Sequence, residues 1–298
     1  MFVAGTSGVG ELKSSVKTTK TIAEHIALAI EQLKNAGVAA PPRESKSLLA
    51  FALGVNQTFL VAHSEYELSE AEEIYFQAIL YRRAKREPFQ YITGRQEFYG
   101  LNFIVTPDVL IPRPETELLV ETAIEILSEN ARFCEVGVGS GCISTAILHT
   151  IKTAEAVGLD ISEAALKVAR RNAEINGVAE RLDLRISDVF GNLNGEKFDL
   201  IVSNPPYISS EEMKTLQAEV RGYEPATALT DGADGVSIIR KIITNAPQFL
   251  NERGFLLLEI GHLQAVEVKE MFDETTWRDV ESRLDFQSIE RVIKAQKA

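Results

Sequence analysis

The sequence is poor in the residues that build metal sites and disulfide frameworks. Its 298 residues include 2 cysteines and 4 histidines. The histidines are scattered, and neither residue type shows the spacing of a zinc site, so we expect no bound metal. Cys134 and Cys142 are expected to pack as small apolar residues in a reducing compartment, with a disulfide between them as the alternative.

Long apolar runs are missing as well. No stretch approaches the roughly 18 residues of a membrane-spanning helix. Residues 1–20 are rich in glycine, serine, threonine and lysine, and they lack the apolar centre of a secretory signal. We expect them to be a flexible extension of a cytoplasmic protein that does not contact membranes. A transit peptide is the less favoured alternative, because the segment has no arginine.

Basic charge is scarce where a nucleic acid would need it. The net charge is −12, and residues 96–298 carry −13, residues 21–95 carry −1 and residues 1–20 carry +2. Because a nucleic-acid backbone requires a basic track, this distribution predicts no direct nucleic-acid binding and suits a basic protein partner. The basic cluster at residues 82–86 is interpreted as a solvated helix end, with a docking contact for a partner or RNA as the alternative.

Residues 21–95 show helical patterns only and are predicted to form a small all-α bundle. Apolar residues recur at helical spacing over residues 21–36, and Gly37 follows as a stop signal. Pro42 suits the first turn of a second helix. Ser69 and Glu72 have the spacing of a capping box, which opens a helix that Pro88 ends.

A β-hairpin is predicted for residues 96–112, and strands alternate with helices over residues 113–298. This alternation predicts an α/β fold with a mainly parallel sheet that is covered on both faces. Pro114 suits the first position of the first of these helices. Helices are predicted over residues 115–129, 210–220 and 236–250, and two closing strands near residues 279–283 and 287–294.

Glycines and acids follow three successive predicted strands. The first strand leads into a glycine-rich turn, which lets a ligand approach the main chain closely. Asp160 ends the second strand, where an acid can accept hydrogen bonds from both hydroxyls of a ribose. Asp188 and Val189 follow the third strand and can contact the amino group and the face of an adenine. Taken singly, the turn is a plain tight turn between strand and helix, and each acid is a helix cap or a solvated loop residue. The turn consists of Gly137, Val138, Gly139, Ser140 and Gly141.

A stiff polar turn follows the fourth strand, which is predicted at residues 198–203. Its residues are Asn204, Pro205, Pro206 and Tyr207. The two prolines stop any ladder or helix, since neither can donate a backbone N–H. A carboxamide and a phenol are therefore held at the carboxyl edge of the sheet, where open α/β sheets bind their ligands.

This order of elements resembles the class I S-adenosylmethionine-dependent methyltransferases, and the Asn-Pro-Pro-Tyr turn is typical of those that methylate an amide or adenine nitrogen. Over roughly residues 22–293 the chain resembles one family among them, the release factor glutamine methyltransferases of the HemK/PrmC type. The segments that carry this resemblance are Glu97-Phe98-Tyr99-Gly100-Leu101, Leu110-Ile111-Pro112-Arg113-Pro114-Glu115-Thr116-Glu117, Tyr223-Glu224-Pro225 with Ala228-Leu229, and Leu258-Glu259-Ile260-Gly261.

The resemblance implies a Rossmann-like seven-stranded domain whose last strand is antiparallel. A helical substrate-recognition domain and the hairpin linker would precede it. The implied reaction is methyl transfer from S-adenosylmethionine to the N5 side-chain nitrogen of a glutamine. That glutamine belongs to the Gly-Gly-Gln loop of class I peptide chain release factors, which are the implied partners.

The resemblance also implies roles for the residues at the strand ends. The glycine turn, residues 137–141, would hold the methionine part and the sugar of the cofactor, and Asp160 would bind the ribose. Asp188 and Val189 would bind the adenine. Asn204 would face both cofactor and substrate. The Asn204 side-chain oxygen and the Pro205 carbonyl would accept the two amide N–H groups of the glutamine. Pro206 and Tyr207 would line the substrate site, and no general base is assigned.

Three positions depart from the common pattern of the family. Glu135 stands where aspartate is frequent, and its side chain is expected still to reach the glycine turn. Val189 stands where a larger side chain occurs, which predicts looser packing on adenine. Ala265 stands where glycine is frequent. Arg113 would lie beside the active site, with a salt bridge to a neighbouring acid as the alternative.

Two other functions compete with glutamine methylation. An adenine-N6 methyltransferase of DNA or RNA uses the same turn on an exocyclic amine and flips its base out of the stack. It requires a basic cleft or a basic recognition domain, and the sequence shows neither. A non-catalytic cofactor-binding or ribosome-associated module predicts a broken glycine turn or a broken Asn-Pro-Pro-Tyr turn, and both are intact.

Overall fold

The structure is a computed structural model that describes residues 20–298. The chain forms two compact units, which divide between Lys85 and Arg86. The extension predicted for residues 1–20 lies outside the described residues except for Lys20. Among the residues described, no helix combines the length and the apolar character that a membrane span requires.

The first unit is a helical bundle, as predicted. The Thr21 side chain caps the first helix, and Ser69 and Glu72 form the predicted capping box of the fourth. Apolar side chains at helical spacing, such as Ile22, Leu33 and Phe76, are fully buried in its core. Its helices are α1 (Ile22–Asn35), α2 (Pro41–Leu53), α3 (Gln57–Ala62) and α4 (Glu70–Ala84).

The basic cluster at the end of α4 was interpreted as a solvated helix end, and the structure contradicts this for part of the cluster. Arg83 lies two turns after Phe76 on the buried face of α4 and is only 5 % exposed. Its Nε donates a hydrogen bond to Glu44 on α2 at 3.0 Å. Arg86 donates to Glu219 at 2.7 Å through its own Nε. The interpretation is therefore wrong for these two arginines, which stabilise the fold through ion pairs.

The second unit alternates strands and helices. Its strands are β1 (Arg95–Phe98), β2 (Leu101–Ile104), β3 (Arg132–Val136), β4 (Glu155–Asp160), β5 (Leu182–Ile186), β6 (Phe198–Ser203), β7 (Leu250–Glu259), β8 (Trp277–Leu284) and β9 (Glu290–Lys297). Its helices are α5 (Phe89–Thr93), α6 (Glu117–Ile126), α7 (Cys142–Thr150), α8 (Glu163–Ile175), α9 (Ala218–Tyr223), α10 (Ala226–Leu229), α11 (Ser237–Asn245) and α12 (Ala265–Lys269).

Helix α5 lies in the sheet-containing unit although the sequence groups it with the bundle. The Tyr91 hydroxyl donates to the Val109 carbonyl at 2.6 Å. The Tyr91 ring packs in a buried cluster with Val105, Val109 and Ile111. This packing attaches residues 89–93 to the second unit, so the compact units divide before residue 95.

Four element predictions need correction. The hairpin is shorter than 96–112, because β2 ends at Ile104. The helix predicted from residue 115 begins as the 3-10 turn Pro114–Thr116 and ends at Ile126. Residues 210–220 form the short turn Glu212–Thr215 and the start of α9 instead of one helix. The helix predicted over 236–250 ends at Asn245, because Pro247 follows and Leu250 enters the sheet.

Within the described residues, seven strands form one sheet in the order β5-β4-β3-β6-β7-β9-β8. The first five of these are parallel, and β9 is antiparallel to both of its neighbours. This arrangement confirms the predicted seven-stranded sheet with an antiparallel last strand. The strand order reverses between β3 and β6, which makes a topological switch point where α/β sheets bind ligands.

Candidate active site

The carboxyl ends of the parallel strands lie side by side. Val136 at the end of β3 is paired with Leu159 on β4 and with Ser203 on β6. Ser203 is in turn paired with Leu258 on β7. This register brings the segments that follow each strand to one edge of the sheet. The glycine turn, the two acids and the Asn-Pro-Pro-Tyr turn therefore meet there.

The glycine turn has a backbone that only glycine adopts easily. Gly137, Gly139 and Gly141 all have φ between 52° and 78°. A Cβ added at Gly137 would lie 4.0 Å from the Asn204 carbonyl oxygen, so this turn and the Asn-Pro-Pro-Tyr turn are neighbours. At Gly141 an added Cβ would lie 3.1 Å from Ala169 Cβ, which lets α7 and α8 pack closely.

Two polar side chains hold the glycine turn in place. Asp160 accepts a hydrogen bond from the Gly139 N–H at 2.8 Å with one oxygen and from the Ser162 N–H at 2.8 Å with the other. Burial raises the pKa of Asp160, while these backbone donors oppose that rise. The buried Asn172 amide on α8 donates to the Ser140 carbonyl at 2.9 Å. Asn172 is a positioning residue that the sequence did not reveal.

The turn after β5 is strained at one residue. Val189 has φ of 50°, a region that β-branched residues rarely adopt. The Ser187 hydroxyl stabilises this turn by donating to the Val189 carbonyl at 2.9 Å and accepting from the Asn192 N–H at 3.0 Å. Strain of this kind is concentrated at binding sites. The Asp188 carboxylate is exposed and pairs with Lys241 at 2.7 Å.

A cavity of about 300 Å³ opens along this edge of the sheet. Its volume lies at the lower end of the roughly 300–1,000 Å³ that small-molecule sites occupy. Gly141 faces α8 and is not part of the cavity lining that the structure describes. The predicted site residues that line the cavity are Gly137, Val138, Gly139, Ser140, Asp160, Asp188, Val189, Asn204 and Pro206.

A second cavity lies on the other side of the Asn-Pro-Pro-Tyr turn. Pro205 and Tyr207 line it, and apolar side chains such as Leu216 and Leu229 form much of its wall. Asn204 lines both cavities. The four residues predicted as one substrate site thus divide between the two cavities, and Asn204 is the member of this group that lines both.

Two glutamates are buried behind this edge, and the sequence gave neither of them a chemical role. Glu135, at the end of β3, has no exposed surface, and its Oε2 accepts hydrogen bonds from the Ser144 N–H and hydroxyl. It thus reaches the first turn of α7, beyond the glycine turn that it was expected to reach. Its Oε1 has no hydrogen-bond partner among the described residues and lies in the cavity wall. Burial raises the pKa of Glu135 to about 8.

Glu259 is the second buried glutamate, and it ends β7 behind the Asn-Pro-Pro-Tyr turn. It is 1 % exposed, and the Tyr207 hydroxyl donates to its Oε1 at 3.5 Å. Burial raises the pKa of Glu259 to about 7, while polar interactions with Thr116 and Asn204 oppose the rise. The Asn204 Nδ2 donates to Thr116 Oγ1 at 3.1 Å. These groups form one polar cluster at the switch point.

Arg113 forms the salt bridge that the sequence left as an alternative. Its guanidinium donates to Glu224 at 2.5 Å, and the Ile111 N–H donates to the other oxygen of that carboxylate at 3.2 Å. Glu224 is buried and thereby joins two segments that are far apart in the sequence. Arg113 lines both cavities.

The two cysteines are both free and buried. Their packing role is therefore as expected, and the disulfide alternative is not formed. Within residues 20–298, no three of the side chains of histidine, cysteine, aspartate and glutamate are grouped closely enough to hold a metal ion.

The chain matches two family models and many curated proteins. Residues 24–94 match the PrmC N-terminal domain, and residues 114–221 match the methyltransferase small domain. A release factor glutamine methyltransferase of Geobacter sulfurreducens is 42% identical over 88% of this chain and 91% of its own length. One from Fusobacterium nucleatum is 39% identical over 91% of this chain and 77% of its own length.

A solved structure supports the fold of the second unit. A methyltransferase from Pyrococcus furiosus superposes with a TM-score of 0.52 at 19% sequence identity, covering 74% of this chain and 98% of its own. At this identity the likeness concerns the fold alone. The extent and identity of the curated relatives decide the classification: this chain belongs to the release factor glutamine methyltransferase family.

Proposed function

We propose that this protein transfers a methyl group from S-adenosylmethionine to the side-chain nitrogen of the glutamine in the Gly-Gly-Gln loop of class I release factors. The observation that carries the proposal is the position of Asn204. Asn204 lines a cavity bordered by the glycine turn and also a second cavity lined by Tyr207. A methyl donor in the first cavity and the glutamine that accepts the methyl group in the second cavity would meet at Asn204.

The first cavity fits S-adenosylmethionine in its chemistry. Gly137 and Gly139 have left-handed backbone conformations and carry no side chains, so a ligand can lie against the main chain there. Asp160 uses each carboxylate oxygen for one backbone N–H, which leaves lone pairs for the two ribose hydroxyls. Val189 and Asp188 supply an apolar surface and an acceptor for adenine. When bound, the cofactor supplies an electrophilic methyl on a sulfonium.

The protein's task is to orient a weak nucleophile. The lone pair of a primary amide nitrogen is delocalised into its carbonyl, so the nitrogen attacks only if it is held in line with the methyl group. Asn204 Oδ1 and the Pro205 carbonyl can accept its two N–H groups and direct the remaining electron density toward the methyl. Such positioning can supply roughly 7–11 kcal/mol of a barrier.

The remaining groups exclude water and complete the reaction. Tyr207 keeps its proton, because burial and Glu259 both raise its pKa. The phenol therefore acts as a neutral wall of the second cavity. With the cofactor bound, formation of the new N–C bond would break the S–C bond and leave a neutral thioether. The methylated nitrogen would then be acidic and would lose its extra proton to solvent.

The charges around the first cavity favour a protein substrate over a nucleic acid. Arg113 is a basic side chain of the described lining, and it is already paired with Glu224. Besides the buried Glu135, whose raised pKa favours its neutral form, the acids of that lining are Asp108, Asp160, Asp188 and Asp231. An adenine-N6 methyltransferase of DNA or RNA would need the opposite balance of charge.

The helical unit is proposed to recognise the release factor, and residues 96–112 to link it to the catalytic unit. The proposal places the protein in the cytoplasm, where release factors act. The test combines the full chain, labelled S-adenosylmethionine and a release factor, with a Gln→Ala variant of the Gly-Gly-Gln loop as control. Label is expected on the wild-type factor only. Equal labelling of both factors, or labelling of DNA, would contradict the proposal.

A further inference from the structure

The Asn-Pro-Pro-Tyr turn has few main-chain donors with which to hold itself in place. Pro205 and Pro206 carry no N–H, so neither can donate to a neighbouring strand or loop. The prolines make the turn stiff, but stiffness alone does not fix its orientation relative to the sheet. Groups from other segments must do so. The Asn204 end follows directly from Ser203, whose hydroxyl donates to the Val136 carbonyl at 2.7 Å.

The Tyr207 end of the turn is held by the half-buried side chain of Gln264. The Gln264 Nε2 donates to the Tyr207 carbonyl at 2.9 Å and to the Gly235 carbonyl at 3.5 Å. The Gln264 Oε1 accepts from the Gly261 N–H at 2.8 Å. One carboxamide therefore joins three segments, which are the Asn-Pro-Pro-Tyr turn, the loop before α11 and the end of β7.

The main chain determines which way round the Gln264 carboxamide lies. A carboxamide has an acceptor oxygen on one side and a donor nitrogen on the other. Both partners of Nε2 are carbonyls, whereas the partner of Oε1 is an N–H. A reversed amide would place its oxygen against two carbonyls and its nitrogen against a donor. Neither a glutamate nor an apolar side chain of similar length could make the same three contacts.

Two glycines allow these groups to approach closely. A Cβ added at Gly235 would lie 2.6 Å from the Tyr207 carbonyl oxygen. One added at Gly261 would lie 2.8 Å from Gln264 Oε1 and 3.1 Å from Tyr207 Cδ2. Asp231 fixes Gly235 in turn, because its carboxylate accepts the Gly235 N–H at 3.0 Å. The carbonyl and the ring of Tyr207 thus both lie against fixed main chain.

The turn that carries Gln264 includes a strained residue. Leu263 has φ of 69°, which residues other than glycine rarely adopt. Its side chain is 84 % exposed, so packing does not explain the conformation. The reversal at Leu263 brings the Gln264 N–H within 3.3 Å of the Gly261 carbonyl, to which it donates. Strain of this kind persists where the surrounding structure requires it.

We propose that Gln264 is a positioning residue that sets the orientation of the Asn-Pro-Pro-Tyr turn toward the substrate amide. The proposal rests on the proposed function, in which Asn204 Oδ1 and the Pro205 carbonyl accept the N–H groups of that amide. Gln264 lines neither described cavity, so it acts through Tyr207 and not on the substrate. A displaced Tyr207 would carry the Pro205 carbonyl with it, because the two prolines make the turn move as a unit.

The cofactor site does not share this dependence. None of the hydrogen bonds described for Gln264 involves the glycine turn or Asp160, which are proposed to hold S-adenosylmethionine. Loss of the Gln264 contacts should therefore slow methyl transfer without weakening cofactor binding. A general loss of stability would not separate the two properties in this way.

The test compares two variants of nearly equal side-chain length. Gln264→Met removes both the donor and the acceptor, whereas Gln264→Glu keeps an acceptor for the Gly261 N–H and loses the donor to the Tyr207 carbonyl. With a release factor as substrate, kcat should fall by roughly 10- to 100-fold in both, because a misplacement of about 1 Å has effects of this size. The KM for the factor and the dissociation constant of S-adenosylmethionine, measured by calorimetry, should stay within a few-fold of wild type.

The order of the two variants identifies the hydrogen bond that matters. Gln264→Glu should be at least as slow as Gln264→Met, because its ionised carboxylate would face the Tyr207 and Gly235 carbonyls and cannot donate to them. If Gln264 only closes the turn after β7, Gln264→Glu should keep wild-type kcat and Gln264→Met should not. That second order would contradict the proposal.

Gln296 provides a matched control on β9. It is also half-buried, its Nε2 donates to the Arg253 carbonyl at 2.8 Å, and its Oε1 accepts from Arg278 Nε at 3.0 Å. It lies outside both described cavity linings. Gln296→Met and Gln296→Glu should therefore keep wild-type kcat. All four variants are assayed at a temperature at which circular dichroism shows them to be folded.

The outcomes distinguish this inference from the proposed function. Wild-type kcat in Gln264→Glu would overturn the inference alone, provided that the wild-type chain labels the factor. A rise in the dissociation constant of S-adenosylmethionine as large as the fall in kcat would also overturn it. If Gln264→Met does not fold, Gln264→Glu decides the matter by its kcat. A wild-type chain that binds S-adenosylmethionine but does not label the factor would overturn both.

Discussion

Glu72 of the helical unit and two glutamates of the sheet-containing unit, Glu135 and Glu259, have opposite surroundings. In the helical unit Glu72 sits at the surface and accepts from Ser69, which lowers its pKa. In the sheet-containing unit Glu135 and Glu259 are fully buried, and burial raises their pKa values to about 8 and about 7. The first kind of acid stabilises a helix end. The second kind costs stability; Glu135 lines the first cavity, and Glu259 lies behind the Asn-Pro-Pro-Tyr turn.

This contrast teaches where the chain tolerates unfavourable groups. The helices of the first unit agree with local rules for caps and apolar spacing. The carboxyl edge of the sheet breaks such rules repeatedly, with a strained Val189, a buried Glu135 with an unpaired oxygen and a buried Glu259. Conflicts of this kind are expected at functional sites, where chemistry and not stability selects the residue. Substitutions in the two units should therefore have different consequences.

The largest effect is expected at the sheet edge from Asn204→Ala. Removal of the carboxamide takes away an acceptor for the substrate amide, so kcat should fall by at least about 100-fold. The affinity for S-adenosylmethionine, measured by calorimetry, should remain within a few-fold of wild type. Asn245→Ala is the matched control, because Asn245 is a half-buried asparagine outside both described cavity linings, and its Nδ2 donates to the Lys241 carbonyl. Loss of cofactor binding without a fall in kcat would show that Asn204 has another role.

A smaller effect is expected from Asp160→Asn. The amide can keep only one of the two backbone hydrogen bonds of Asp160, and it is a weaker acceptor for ribose hydroxyls. The dissociation constant of S-adenosylmethionine should rise by roughly 10- to 100-fold, in line with hydrogen bonds to a charged group. Asp183→Asn is the control, since Asp183 is exposed and pairs with Arg185. An unchanged dissociation constant would exclude Asp160 from the cofactor site.

Glu135 in the sheet-containing unit and Glu72 in the helical unit should contribute to the pH dependence of stability with opposite signs. The pKa of Glu135 is about 8 when folded against an ordinary value of 4.5, so the folded chain binds a proton that the unfolded chain has lost. The free energy of unfolding should therefore fall as the pH rises from about 4.5 to about 8, by at most about 1.4 kcal/mol per pH unit for each proton.

Urea unfolding of wild type and Glu135→Gln across this range measures the contribution of Glu135. The variant should show a flatter dependence on pH. Glu72→Gln is the comparison from the helical unit. Because the pKa of Glu72 is lowered, the stability that it contributes should be lost as the pH falls. A wild-type slope in Glu135→Gln would contradict the raised pKa.

The smallest effect is expected from Ser69→Ala in the helical unit. This change removes the cap of α4 and should lower the free energy of unfolding by about 1 kcal/mol. The kcat for a release factor should be unchanged. Ser64→Ala is the matched control, because the half-buried Ser64 caps no helix and the one hydrogen bond described for its side chain is to the adjacent Glu65. A fall in kcat would weaken the contrast between the two units.

Local sequence signals predicted the elements that depend on neighbouring residues. The strand ends at Val136, Asp160 and Ser203 followed from short apolar runs and from the polar or glycine residues after them. The cap of α8 by Ser162 and the capping box of α4 followed from residue types at fixed spacing. These signals require no knowledge of the rest of the chain.

Contacts between distant residues explain what the sequence did not reveal. The helix predicted to residue 250 stops early because Leu250 pairs with Phe198 in the sheet. Arg83 appeared solvated because its partner Glu44 lies on another helix. The importance of Glu259 depends on burial and on neighbours in other elements. Glu259 belongs to the segment Leu258-Glu259-Ile260-Gly261, which is one of those that carry the family resemblance. That membership was the one signal in the sequence that could have drawn attention to Glu259.

The antiparallel strand β8 forms one edge of the large sheet, and its form protects the protein from aggregation. Its pairing with β9 shifts register between Arg278 and Glu281, where Asp279 has φ of 50°. Such a bulge, together with the charged side chains of Arg278, Asp279, Glu281 and Arg283, disfavours the addition of a strand from a second copy at this edge.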